Sequence, residues 1–173
     1  MINIRKGTFE TNSSSTHSIC VTHTNNLCSI PEKIEIDIDN YGFGWEYEEY
    51  NTTEEKLAYL LIGAMSGYKN NFVDTAKRLD KIVSTIKKWV KVVNIKGIEV
   101  VSYENNMYFE PIEGYVDHRD ELDELVDAML EDEELLKRYL FSDESFILTG
   151  NDNSFGYPDI KVPYEHSEFY KGN

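Results

Sequence analysis

Between Lys33 and Asp39 charged and apolar residues alternate without a break, Lys-Ile-Glu-Ile-Asp-Ile-Asp. With a side-chain period of two, this puts three isoleucines on one face of a strand and the charges on the other. Shorter runs rich in β-branched or aromatic residues predict further strands at about 2–5, 17–22, 92–95, 98–103, 107–109 and 146–148. Asn105-Asn106 predicts a hairpin turn into Met107, Gly97 breaks the preceding run, and Thr11 to Thr16 reads as a loop of hydroxyl-bearing turn formers.

The period changes to that of a helix after Thr52. Thr52 and Glu55 form a capping-box pair, followed by an apolar stripe of Leu57, Leu60, Leu61, Ala64 and Met65, with Gly67 as the stop. A second helix starts near Asn70-Asn71 and carries Phe72, Ala76, Leu79, Val83, Ile86 and Val90 on its inner side. A third spans about 118–130 with Leu122, Leu125, Val126 and Met129, and a fourth about 132–141 with Leu135, Leu136 and Tyr139. The tail from about 158 reads as irregular and held to the domain by its aromatics. Strands come in runs separated by runs of helices, without a regular strand–helix–strand repeat. The expected fold is therefore a single α+β domain over 1–173, with a mainly antiparallel sheet packed against three to four helices.

The 173 residues suffice for a core without staples, and 40% hydrophobic content is too high for a disordered chain. The two cysteines, Cys20 and Cys28, lack zinc-site spacing, and Cys20 reads as a small buried hydrophobe. No apolar stretch approaches 18 residues and the N-terminus has no signal region, so a cytoplasmic protein without membrane contact is expected.

Charge adds most to this picture. The net charge of −15 disfavours direct nucleic-acid binding and points to a basic partner protein. It is also segregated: Lys69 to Lys91 holds seven basic residues against two acids, whereas Glu113 to Glu144 holds thirteen acids against three bases. The two regions could neutralise each other within the fold or across a homodimer. An acidic helix face of Asp120, Asp123, Glu124, Asp127, Glu131 and Glu134 could instead dock on a basic protein, with nucleic-acid mimicry as one route. Its first four members have the helical spacing to hold a hard cation, although no metal site or cofactor is implied by any full ligand pattern. Residues 41–47, if extended, line up Tyr41, Phe43, Trp45 and Tyr47 opposite Gly42, Gly44, Glu46 and Glu48. That row fits either a core strand or an acidic interface, in which Trp45, Tyr47, Glu46 and Glu48 would contact a partner.

The least ordinary stretch is Phe9-Glu10-Thr11-Asn12-Ser13-Ser14-Ser15-Thr16-His17-Ser18. Asn12, Ser13, Ser14, Ser15 and Thr16, with Asn151 and Asn153 from the polar loop at 150–154, are candidate ligands for a small molecule or nucleotide. Consecutive free amides and hydroxyls can cradle an anion, though the glycines and lysine of a P-loop are lacking. In a strand Ser15 and His17 share a face, so with Asp152 they are candidates for nucleophilic catalysis. The competing reading is a hydroxyl-rich turn with His17 exposed at a strand edge. The segment resembles the N-terminal signature of a group of small phage and prophage proteins of unknown function, over about twenty residues. The resemblance implies a phage-type origin. With the charge, it favours an interaction protein that binds and inhibits a host nucleic-acid-handling or defence protein, over a ligand-binding or Ser/His hydrolase module at 11–18 and 150–154.

Overall fold

A computed structural model describes residues 15–44, 46–65, 71–104, 106–117, 122–151 and 167–172. The expected strand at 2–5 lies outside them. Among the described residues no helix is long and apolar enough to cross a membrane.

The fold is α+β with mostly antiparallel strands, as the residue pattern predicts. Its main sheet is built on β1 (Ser15–Thr22), which runs antiparallel to β10 (Ser167–Gly172) on one side and β9 (Phe146–Asn151) on the other. β9 in turn pairs antiparallel with the edge strand β4 (Glu48–Tyr50), giving the order β10-β1-β9-β4. The tail is thus not irregular throughout, because residues 167–172 form a full strand against β1. Three small pairs complete the strands. β2 (Lys33–Asp37) runs parallel to β5 (Val92–Lys96), β3 (Gly42–Phe43) parallel to β8 (Tyr115–Val116), and β6 (Ile98–Tyr103) forms a hairpin with β7 (Asn106–Pro111). The hairpin closes on the pair Tyr103 and Asn106, one residue earlier than the Asn-Asn signal suggests, with Glu104 at φ +48°.

α1 (Thr53–Ala64) is the centre of the molecule. Thr52 accepts from the Glu55 amide while the Glu55 carboxylate accepts from the Thr52 and Asn51 amides, the reciprocal cap that the sequence predicts. Every residue from Lys56 to Ala64 is buried, so the expected single stripe is a helix enclosed on all sides. It is wrapped by α2 (Phe72–Ile86), α3 (Asp123–Glu131), α4 (Glu133–Phe141) and the small β2 and β8 strands. Gly63 permits this closeness, since a methyl group there would stand 2.9 Å from Leu122 Cδ1. α2 turns Thr75, Ile82, Thr85 and Ile86 fully inward, and its Phe72 stacks on Phe109 of β7 at 4.5 Å. The expected inner stripe is rotated, leaving Ala76 and Val83 half-buried.

Asp39 ties the β7–β8 connection to the end of β2. Its carboxylate accepts from the Glu113 and Gly114 amides at 2.8 and 3.1 Å, and these bonds, Glu113 first, lower its pKa. Gly97 turns β5 into β6 at φ +82°, a left-handed conformation that favours glycine. A side chain there would also meet the Asp37 and Asp39 carboxylates at under 3 Å.

Candidate functional site

The serine-rich segment runs into the main sheet. Ser15 and Thr16 belong to β1, where pairing with β9 sets Ser15 opposite Asn151 and Thr16 opposite Gly150. The two stretches singled out in the sequence are therefore neighbours at one end of the main sheet. Asn12, Ser13, Ser14, Asp152 and Asn153 lie outside the described residues.

His17 is not exposed at an edge. β1 is an interior strand, and its alternation turns His17, Ile19 and Val21 into the core, where His17 is fully buried beside Tyr59 of α1. Its Nδ1 lies 3.0 Å from the Tyr59 hydroxyl, with the rings 5.8 Å apart. Burial raises the Tyr59 pKa well above its usual value, so the group beside Nδ1 is a neutral phenol. A serine nucleophile needs its histidine open to substrate, whereas His17 is buried in the core.

The charge segregation resolves partly within the fold. Arg78 of α2 reaches Asp123 and Asp127 of α3, each at 2.7 Å, with its guanidinium mostly buried. Lys88 pairs with Glu133 at the start of α4, while Lys91 reaches Glu32. Opposite charges on adjacent helices are thereby spent on packing α2 against α3 and α4. Of the candidate acidic face, Glu124, Glu131 and Glu134 remain exposed. Asp120 lies outside the described residues. Asp123 and Asp127, spaced for a cation, hold an arginine.

A second acidic surface takes part in no ion bridge of this kind among the described residues. The chain from 41 to 50 does not run straight: β3 and β4 are two short strands joined by a bend. The cause is visible on both faces of β3. Phe43 is wholly buried, edge-on to Tyr50 at 4.7 Å and to Tyr59 at 5.0 Å. On the other face the Tyr115 ring lies across Gly42 and Gly44, where a methyl on Gly42 would come within 2.6 Å of it. The predicted aromatic row is accordingly divided. Tyr41 and Phe43 join the core, Tyr47 is 46% exposed, and Trp45 lies outside the described residues.

Beyond the bend, Glu46, Glu48 and Glu49 are exposed along β4, and Glu54 and Glu55 follow at the start of α1. The Tyr50 hydroxyl donates to the Glu48 carboxylate and sits 3.1 Å from the Gly42 carbonyl. Burial and then Glu48 raise its pKa, with Glu55 adding to the effect. Tyr41 is raised by burial and by Glu54 and Glu55, so these carboxylates and both rings share one surface. Among the described residues none of these five glutamates takes part in an ion pair. Sequence reading singled out Glu46, Glu48 and Tyr47 but missed Glu54, Glu55 and Tyr50. Their shared feature is sequence proximity to the bend, which composition does not reveal.

Sequence reading also missed Lys56. This lysine is 1% exposed and donates to the carbonyls of Ser142 at 2.7 Å and Ser145 at 2.9 Å, beyond the end of α4. Burial lowers its pKa to about 8. The same loop is held by Glu144, which accepts from the Thr22 and Thr24 hydroxyls at 2.9 and 2.6 Å. Lys56 is enclosed in backbone and reads as a structural clamp.

Comparison with known proteins finds no matching family model, no matching curated protein and no matching solved structure.

Proposed function

We propose that this protein is a non-catalytic binding module that engages a basic protein through the acidic, tyrosine-bearing surface formed by β4 and the start of α1. The observation that carries this reading is the contrast between two sets of carboxylates. Those of α3 and α4 are partly matched by Arg78 and Lys88, whereas Glu46, Glu48, Glu49, Glu54 and Glu55, near Tyr47 and Tyr50, form no ion pair among the described residues. Surplus like charge on one surface costs stability, and a cationic partner relieves it. Tyrosines add rigid contact area at the same place. Together with the phage-type N-terminal resemblance, this supports a nucleic-acid-handling or defence protein of the host as the partner, with inhibition as the outcome. Glu124, Glu131 and Glu134 would extend the contact if the partner is held by nucleic-acid mimicry.

Affinity purification from a host lysate, with mass spectrometry, tests the proposal when run with the wild type and with a Glu46→Gln, Glu48→Gln, Glu49→Gln variant. The expected result is a basic protein retained by the wild type, released by salt and lost with the variant. No such partner, or one retained equally by both, would sink it.

The register of Ser15 with Asn151 favours a second reading, a small-molecule or nucleotide site at that end of the sheet. A thermal-shift screen of nucleotides and inorganic phosphate decides it. Stabilisation abolished by Asn151→Ala would support the site, and no stabilisation by any of them would remove it.

A further inference from the structure

Among the described residues the sheet order leaves β4 with β9 on one side only. In an antiparallel ladder successive residues turn their N–H and C=O groups alternately to either neighbour, so part of the Glu48–Tyr50 backbone faces away from β9. Among the described residues that outward side makes no backbone hydrogen bond. An open edge is a template for another strand.

The charge on this edge decides which strand fits. Glu48 and Tyr50 lie on one face of β4 and Glu49 on the other, with Glu46 just before them, so carboxylates flank the edge on both faces. A second copy of a chain with net charge −15 would bring the same carboxylates against them, and like charges directly opposite are unfavourable. An extended segment with alternating basic residues meets the reverse situation, cation opposite carboxylate on each face.

We infer that the outer edge of β4 is a strand-addition site for an extended, basic segment of the partner protein. This rests on the acidic-surface reading above and specifies how that surface is used. Only part of a three-residue strand offers backbone groups, so binding depends on charge as well as on the ladder and weakens steeply with salt.

The probe is a synthetic peptide of about ten residues alternating Lys and Thr, long enough to span an average strand with flanks. Its control carries the same charges but has N-methyl groups on alternate backbone nitrogens, which removes ladder donors. Both are titrated into the full chain at low salt and followed by NMR of the backbone amides. The expected result is binding of the first peptide with shifts at Glu48, Glu49 and Tyr50, about tenfold or more weaker binding of the methylated one, and loss of binding in the Glu46→Gln, Glu48→Gln, Glu49→Gln variant. Equal binding of both peptides overturns strand addition while leaving the acidic surface standing. Binding of neither, or shifts confined to α3, overturns the inference, and the lysate experiment then decides the broader reading by itself. Slow hydrogen exchange at all three amides before any peptide is added also overturns it, because the edge would then already be covered. Amide shifts that move with protein concentration alone would assign the edge to a second copy instead.

Discussion

Replacing Lys56 with methionine separates two opposing effects that the fold superimposes on one side chain. The ammonium has three N–H groups and two carbonyl acceptors, Ser142 and Ser145, in a site that is 1% exposed. A neutral amine keeps two N–H groups, enough for both acceptors, and sheds the cost of desolvating a charge. The folded pKa of about 8 lies below the ordinary value of 10.5, so between those values the unfolded chain binds more protons than the folded one. Stability therefore rises with pH in this window, and the lysine's penalty is fully present below the folded pKa. From about pH 7 to about pH 9.5 the rise amounts to about 2 kcal/mol. Lys56→Met removes that titration. At neutral pH its net effect is small, because the relief of desolvation offsets the about 1–3 kcal/mol lost by leaving the Ser145 carbonyl without its donor. Urea denaturation of both proteins across this range measures the difference directly, with all other titrations common to the pair. Tyr59 and Tyr139, whose pKa values burial raises, stay neutral across this range. A wild-type-minus-variant difference that stays flat from pH 7 to 9.5 would refute the account of Lys56 as a desolvated cation.

Two further perturbations probe packing elsewhere in the fold. Gly114→Ala would place a methyl 2.3 Å from the Ile38 carbonyl oxygen, which is backbone and cannot rotate away, so a loss of about 1–3 kcal/mol is expected. A melting temperature unchanged by calorimetry would show that the β7–β8 connection yields freely. Arg78→Met should cost about 1–3 kcal/mol by leaving Asp123 and Asp127 without their charge-assisted bonds. Adding Asp123→Asn should recover part of it, and strictly additive losses in urea melts would mean that the two side chains do not interact.

How far the residues announce this structure depends on how local each signal is. Thr52 and Glu55 lie three apart, and the capping box they predict is the one that forms. The alternating isoleucines of β2 are likewise a local signal, and Ile34, Ile36 and Ile38 are all buried. Non-local facts were hidden. Nothing near Ser15 shows that its strand will be flanked on both sides, so the sequence suggested a loop and an exposed His17. α1 shows an ordinary amphipathic stripe, because Lys56, Tyr59 and Gly63 look suited to solvent until partners from residues 17, 122 and 142–145 enclose them. Net charge was plain from composition, but which carboxylates find cations is set by helix packing. That is why α3 seemed the stronger candidate face, and why the bend after Phe43 went unseen.

The placement of β1 has a consequence for how the chain reaches this state. Its neighbours come from the far end of the sequence, and even the contact of Thr22 with Ser145 spans 123 positions. Contacts of such separation demand the closure of a very long loop before any reward is gained, which slows folding relative to local helices. During synthesis α1 would leave the ribosome with its apolar surface complete while β1 still waited for β9 and β10. The newborn chain must therefore carry its most hydrophobic helix before α3 and α4, which finally enclose it, have been made, and slowing their synthesis would prolong that exposure.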